Sequence, residues 1–243
     1  MREPTTAKGV HCVTGGHAVF QVNEPWSAVF EPGWFEPEWW GEAAEPVAAG
    51  GRGGAWFVSG ASLAMVLRYY NRGGLVARVS SNAYLYTGLA RTRSVAEFNL
   101  LKALYDQGLP VPRPVASAVW RYGFLHYRAA ILVERLADTR SLGEQASALS
   151  DAWWYRVGAS IRQFHDYGVD HPDLNCFNIL LSQEKVYLID FDKGVIRSPS
   201  VRSKWPDRNL KRLHRSLMKL EGVSPSRLSE GWNALLAGYG KGT

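Results

Sequence analysis

The sequence predicts an α+β fold of two lobes: a small antiparallel sheet with one helix over residues 1–136, and a mainly helical lobe over residues 137–243. Three observations carry this. The first half is a series of short apolar runs cut by Gly, Pro and polar turns, the pattern of hairpins. In the first half apolar residues recur at helical spacing from Phe98 to Tyr105, whereas the second half reads as helices over about 141–149, 151–167, 206–221 and 224–239. Inside the helical half, two short apolar runs, Asn178–Leu181 and Val186–Ile189, flank the polar turn Ser182-Gln-Glu-Lys185, a hairpin with polar groups at its ends.

In chain order, residues 1–24 hold one strand candidate, Ala18-Val-Phe-Gln-Val22. Pro25 to Trp40 is dense in Trp, Phe, Glu and Pro; a short helix starting near Pro37 suits proline at a first turn, and packing is the expected role. Gly50-Gly-Arg-Gly-Gly-Ala-Trp-Phe-Val58 is a glycine-rich turn whose backbone can approach phosphates. It meets the phosphate-covering pattern G-x-G-x-x-G-x-V at Gly51, Gly53 and Val58, with Trp56 in place of the third glycine. Any glycine-rich turn could produce such a match. The next strand, Ala64-Met-Val-Leu-Arg68, ends in a cation, and Arg72, Arg78, Arg91 and Arg93 follow in a Gly-, Tyr- and Ser-rich segment suited to an anionic acceptor. Ser94-Val-Ala-Glu97 has capping-box spacing before a helix that stops at Gly108 and Leu109-Pro-Val-Pro-Arg-Pro114. Val115–Arg128 reads as a strand pair, and Ala129–Leu136 as a buried strand that runs into the polar turn 137–140.

The second lobe opens with helices over about 141–149 and 151–167, the latter with Trp154, Val157, Ile161, Phe164 and His165 at helical spacing and a stop at Gly168. Next comes His171-Pro-Asp-Leu-Asn-Cys-Phe-Asn178, then the hairpin, then Leu188-Ile-Asp-Phe-Asp-Lys-Gly194. Asp173, Asn178 and Asp190 thus fall within eighteen residues. Asp-x4-Asn followed by a strand ending in Asp-Phe is a phosphoryl-transfer arrangement: one Asp accepts the attacking hydroxyl's proton, while the Asn and the second Asp hold a metal ion at the phosphates. The bland alternative is a loop whose Asp and Asn only cap turns. Two further helices are expected over about 206–221 and 224–239, the last burying Trp232, Leu235 and Leu236.

These two loops, with Phe35-Glu-Pro-Glu-Trp-Trp40, Leu67-Arg-Tyr-Tyr-Asn-Arg-Gly-Gly74, Thr92–Leu101 and Leu210–Ser216, resemble the lipopolysaccharide-core kinases, a family of protein-kinase-like fold, across most of the chain. The resemblance implies ATP and Mg2+ as cofactors, with Asp173 as base and Asn178 and Asp190 as metal ligands. It implies that Gly51 and Gly53 cover the nucleotide, that Arg68 stands where protein kinases carry the phosphate-binding Lys, and that Glu97 is its partner. Glu97 completing only the helix cap is the competing reading. Glu134 to Leu136 would offer main-chain groups to adenine. Pro172 stands where many protein kinases carry the Arg that reads a phosphorylated activation loop, which argues against control of that kind. Asn175 replaces the Lys that often neutralises the transferred phosphate, and Arg52 and Lys193 are the candidates for that cation. The implied reaction is phosphorylation of a 3-deoxy-D-manno-octulosonic acid (Kdo) hydroxyl, the 4-hydroxyl, on Kdo-lipid A. A soluble small-molecule kinase of aminoglycoside or choline type and a non-catalytic kinase-like membrane module are the alternatives.

Composition bounds the partners. No apolar run is long enough to span a membrane, and Met1-Arg-Glu-Pro-Thr has no apolar signal core, so a cytoplasmic location is expected. Two cysteines, Cys12 and Cys176, make no disulfide framework, and Cys176 is expected to be a small buried side chain. The net charge of +6 is uneven: Val195–Thr243 holds ten Lys/Arg against three Asp/Glu, and the rest is near neutral. That basic end points to an anionic partner, and the ten Trp favour a membrane interface or sugar over nucleic acid. Drawn as a helix, Arg208, Arg212, Arg215 and Lys219 share one face opposite Leu210, Leu213, Leu217 and Leu220, a cationic stripe expected to face out toward the anionic inner-membrane surface.

Overall fold

A computed structural model describes residues 9–47, 54–60, 63–71, 84–198 and 204–240. The chain divides into two compact units, Met1–Ala103 with Pro112–Arg135, and Leu104–Val111 with Leu136–Thr243.

The first unit is built on an antiparallel sheet. Its strands are β1 (Val10–Gly15), β2 (Ala18–Asn23), β3 (Ala44–Pro46), β4 (Ala55–Gly60), β5 (Leu63–Tyr69) and β6 (Tyr84–Leu85). After helix α1 (Arg93–Asp106) come β7 (Pro114–Tyr122) and β8 (His126–Glu134). The order is β1-β2-β7-β8-β5-β4-β3, with β6 paired to β8 beside that path. Phe20, Val22, Met65, Leu67, Ala116, Ala118, Ala130 and Leu132 form its buried core. Phe35, fully buried, comes from the Trp-rich segment and packs on Phe20 and Trp120, which confirms a packing role for that stretch. The short helix expected near Pro37 is a 3-10 helix, Pro37–Ala43.

The capping-box expectation for α1 is corrected. The helix already includes Arg93, so Ser94 and Glu97 both lie inside it, and Ser94 Oγ donates instead to the Ala118 carbonyl (2.9 Å). Glu97 is left to act elsewhere.

The second unit has β9 (Arg140–Ser141), α2 (Leu142–Gln145) and α3 (Asp151–Asp166), then β10 (Val169–Asp170), β11 (Ile179–Leu181), β12 (Val186–Leu188) and β13 (Val195–Ile196), and finally α4 (Trp205–Leu217) and α5 (Pro225–Gly240). β11 and β12 pair antiparallel across the Ser182–Lys185 turn, as the two apolar runs predict. Trp154, Val157, Ile161, Phe164 and His165 are all buried, so the periodicity of α3 gives its inner face correctly. Helices α3 and α5 touch backbone to backbone: a methyl at Gly158 would lie 1.9 Å from the Leu235 carbonyl oxygen, and one at Gly238 would lie 2.0 Å from that of Tyr155. That close crossing buries Leu228, Gly231, Leu235 and Gly238 but leaves Leu236 exposed, contrary to the inner face expected for the last helix. Helix α4 ends at Leu217, so Leu220 falls beyond it, while Leu210, Leu213 and Leu217 are buried as expected.

Candidate active site

The candidate site residues of the second unit sit on the loop between β10 and β11 and at the end of β12. Leu174 N–H donates to the His171 carbonyl (3.0 Å) and Asn178 N–H to that of Asn175 (3.1 Å), so the loop folds into consecutive tight turns. Asn175 Oδ1 accepts from Phe177 N–H (2.9 Å), an Asx-type turn, and its Nδ2 donates to the Asp173 carbonyl (3.0 Å). Asn178 Nδ2 donates to the same carbonyl (3.0 Å), which orients the amide with its Oδ1 as the remaining oxygen donor. Ile189 N–H donates to the Asn178 carbonyl (3.0 Å), which ties the strand that leads into Asp190 to this loop. The side-chain amide of Asn178 thus ties this residue to Asp173, and a main-chain bond ties it to the residue before Asp190. Asp190 adopts φ 64, a left-handed backbone that non-glycine residues rarely take. Such strain concentrates at functional positions. Below it, Phe191 is fully buried, with ring centroids 6.2 Å from Phe164 and 4.7 Å from His171.

What anchors this loop is α4, and spacing did not reveal it. Asn209, buried at 1% exposure, accepts the His171 N–H on Oδ1 (2.9 Å) and donates Nδ2 to Asp170 Oδ1 (3.0 Å). Asp170 is fully buried and also accepts from Arg197 Nε (2.6 Å) and Arg208 (3.3 Å). These partners compensate a buried carboxylate that would otherwise be costly. One turn further along α4, Arg212 donates to Asp173 Oδ1 (2.8 Å), and one turn beyond that Ser216 Oγ accepts the Cys176 N–H (2.9 Å). Arg208, Asn209, Arg212 and Ser216 clamp the loop from Asp170 to Cys176.

The cationic stripe is corrected accordingly. Arg212, half-buried, turns to Asp173, and Arg208 reaches Asp170 at 3.3 Å while its side chain stays 64% exposed, so Arg208, Arg215 and Lys219 face solvent and only Arg212 is drawn from the stripe. Of the cations proposed to stand beside the transferred phosphate, Arg52 lies outside the described residues and Lys193 is exposed in a turn. Arg212 is the guanidinium found at the candidate base. Cys176 is buried, as expected, and burial pushes its thiol up, so it stays neutral.

In the first unit, Arg68 and Glu97 meet. Arg68 Nη2 lies 2.5 Å from both carboxylate oxygens of Glu97, and Tyr70 Oη donates to Oε2 at 2.5 Å. Glu97 is 2% exposed and Arg68 is 26% exposed, so the carboxylate is anchored in the interior and the guanidinium reaches it from nearer the surface. The pair joins β5 to α1, the pairing reading of Glu97. Gly51 and Gly53 lie outside the described residues, as do Arg72 and Arg78. Glu134 closes β8, where its N–H donates to the Arg113 carbonyl (2.9 Å) and the Arg135 N–H donates to that of Ala64 (2.8 Å). Of the main-chain groups expected to meet adenine, the N–H groups of Glu134 and Arg135 are therefore already engaged.

Among the described residues, no three His, Cys, Asp or Glu side chains are grouped to hold a metal by themselves. One amide oxygen and one carboxylate instead suit Mg2+, which is held by few protein oxygens together with phosphate and water.

Comparison with known proteins places the chain. The model of the lipopolysaccharide kinase (Kdo/WaaP) family matches residues 37–239. A 3-deoxy-D-manno-octulosonic acid kinase of Xanthomonas oryzae pv. oryzae is 54% identical over 190 residues, 77% of this chain and 75% of the relative. One from Stenotrophomonas maltophilia is 52% identical over 194 residues, 79% of this chain and 77% of the relative. Among solved structures, WaaP in complex with acyl carrier protein superposes with a TM-score of 0.58 at 17% identity, covering 92% of this chain and 89% of that one. The Rio2 kinase of Chaetomium thermophilum, solved as an ADP/Mg2+-phosphoaspartate complex, gives 0.51 at 21% identity, covering 79% and 61%. These likenesses show the protein-kinase-like α+β fold.

Proposed function

Because the chain belongs to the lipopolysaccharide kinase (Kdo/WaaP) family, we propose that it transfers the γ-phosphoryl group of ATP to the 4-hydroxyl of Kdo on Kdo-lipid A, with Asp173 as the proton acceptor and Asn178 and Asp190 as Mg2+ ligands. The observation that carries the residue assignment is the hydrogen bond from Asn178 Nδ2 to the Asp173 carbonyl, which makes base and metal ligand one structural piece.

Phosphoryl transfer asks a protein for position and charge rather than covalent chemistry. Asp173 Oδ1 is held by Arg212, so Oδ2 takes the acceptor hydroxyl's proton as the oxygen attacks phosphorus. Mg2+, when bound, neutralises charge on the phosphate oxygens. Asn178 Oδ1 and the Asp190 carboxylate are the oxygens this chain offers it. Arg68, anchored by Glu97, would be the cation for the nucleotide phosphates; as Arg it can bind them in a forked geometry unavailable to Lys. A lipid acceptor supports a peripheral location at the cytoplasmic face of the inner membrane, with the exposed Arg208 and Arg215 of α4, and Lys219 just after it, as attracting charges.

The test offers labelled ATP with Kdo-lipid A, an aminoglycoside and a generic peptide. Label is expected on Kdo-lipid A alone; label on the aminoglycoside would overturn the substrate. Asp173→Ala should cut turnover about 10²–10⁴-fold and keep Mg-dependent protection by ATP against heat, whereas Asp190→Ala should lose that protection. Equal protection in both variants would show the two roles to be exchanged.

A further inference from the structure

Strands β7 and β8 are joined by Gly123-Phe124-Leu125, with Gly123 at φ 55, the left-handed conformation that glycine takes most easily. A solvated hairpin turn normally carries polar residues. This one presents Phe124 at 90% exposure and Leu125 at 60%, with Tyr122 beside them at 39% and Leu85, on the adjoining β6, at 59%. The register holds this group together: Tyr122 pairs with His126, Leu85 also pairs with His126, and Tyr86 N–H donates to the Leu125 carbonyl (2.8 Å). Contiguous exposed apolar side chains rimmed by polar groups mark an interaction site.

The rim identifies the partner. Just behind the tip, the Arg128 guanidinium lies over the Tyr122 ring (4.8 Å) and that of Arg121 over the Tyr86 ring (4.4 Å). No acidic residue occurs from Pro114 to Val133 or from Tyr84 to Ala96. An apolar tip, then a collar of Tyr rings and Arg on two segments that hold no carboxylate of their own, matches the layering of a bilayer: acyl chains, then headgroups, then anionic surface.

We infer that the β7–β8 tip, Phe124 and Leu125 with Leu85 and Tyr122, inserts into an anionic lipid surface while Arg121 and Arg128 contact its phosphates. The inference rests on the reading that the acceptor is a membrane lipid, and it supplies the apolar anchor that α4, whose leucines Leu210, Leu213 and Leu217 are buried, does not. β6 lies within the segment from Arg72 to Arg93 proposed for the acceptor, so the anchor and that segment are continuous in the chain.

The full chain is tested by sedimentation with phosphatidylcholine vesicles, with and without phosphatidylglycerol. Phe124→Ser/Leu125→Ser should weaken partitioning to the anionic vesicles by about 10²-fold, the scale of two exposed apolar side chains. It should also raise the apparent KM for Kdo-lipid A, while turnover on a water-soluble Kdo acceptor stays at the wild-type level. Cys12→Ser/Phe124→Cys, labelled at the tip with an environment-sensitive dye, should shift its emission to the blue when anionic vesicles are added. Unchanged partitioning in the double Ser variant, or no spectral shift, overturns the inference. So does a wild-type dimer that the double Ser variant dissolves without change in vesicle binding, since the tip would then bind a second copy. Failure of the wild-type enzyme to phosphorylate either Kdo acceptor would refute the proposed reaction, and the vesicle and dye readouts would still decide the tip.

Discussion

Arg212→Ala separates positioning from folding. Arg212 Nη2 lies 2.8 Å from Asp173 Oδ1, but the two side chains are 34% and 52% exposed, so water screens the pair and its removal should cost no more than about 1 kcal/mol of stability. For a chain of this size that lowers Tm by roughly 2–4 °C. The loop itself remains pinned on either side, by Asn209 to Asp170 and His171 and by Ser216 to Cys176. What is lost is the restraint on one oxygen of the candidate base, and misplacement of about 1 Å at a reacting group can cost about 10²-fold in rate. We expect kcat for Kdo-lipid A to fall by about that factor, with KM for ATP little changed. Arg212→Lys should recover part of the rate, because a single ammonium can meet one carboxylate oxygen without the planar fork. Steady-state rates with labelled ATP, paired with thermal unfolding of each variant, give the answer. Wild-type kcat in Arg212→Ala refutes the positioning role, and a Tm loss well beyond a few degrees shows that the residue serves the fold instead.

Other outcomes follow from the same structure. Glu97→Gln removes the charge that holds Arg68 while keeping the side chain's shape; KM for ATP should rise about 10-fold, and an unchanged value would dissociate the pair from nucleotide binding. Burial lowers the His165 pKa to about 4, with Asn209 and Asp170 opposing the shift. The unfolded chain therefore takes up this proton near pH 6.5 and the folded chain only near 4. Stability falls as pH drops through that window, by up to about 3 kcal/mol, and His165→Gln should flatten the pH dependence of urea unfolding. Gly158→Ala places a methyl against the Leu235 backbone and should cost about 3 kcal/mol, whereas Gly240→Ala, which meets nothing within 4 Å, should leave Tm close to wild type.

The local parts of this protein were determined by sequence alone. The Asp173-x4-Asn178 loop, the hairpin of Ile179–Leu181 with Val186–Leu188 and the inner face of α3 all follow from interactions between near neighbours, where spacing in the chain is spacing in space. Tertiary structure decided which of two legitimate uses each side chain found. Ser94 and Glu97 have the spacing of a cap, yet Arg68 and Tyr70 arrive from β5 and its end to claim Glu97. Periodicity put Arg208 and Arg212 on one face of α4 but could not say what that face meets; the loop it meets lies 38 and 39 residues away in sequence. Leu236 belongs to the apolar stripe of α5 but is exposed, because Gly158 and Gly238 set where the two helices cross. A helical or strand period specifies only the direction of a side chain from its own axis. The partner found in that direction depends on how distant segments pack, and that is fixed by close contacts and buried charge across the whole chain.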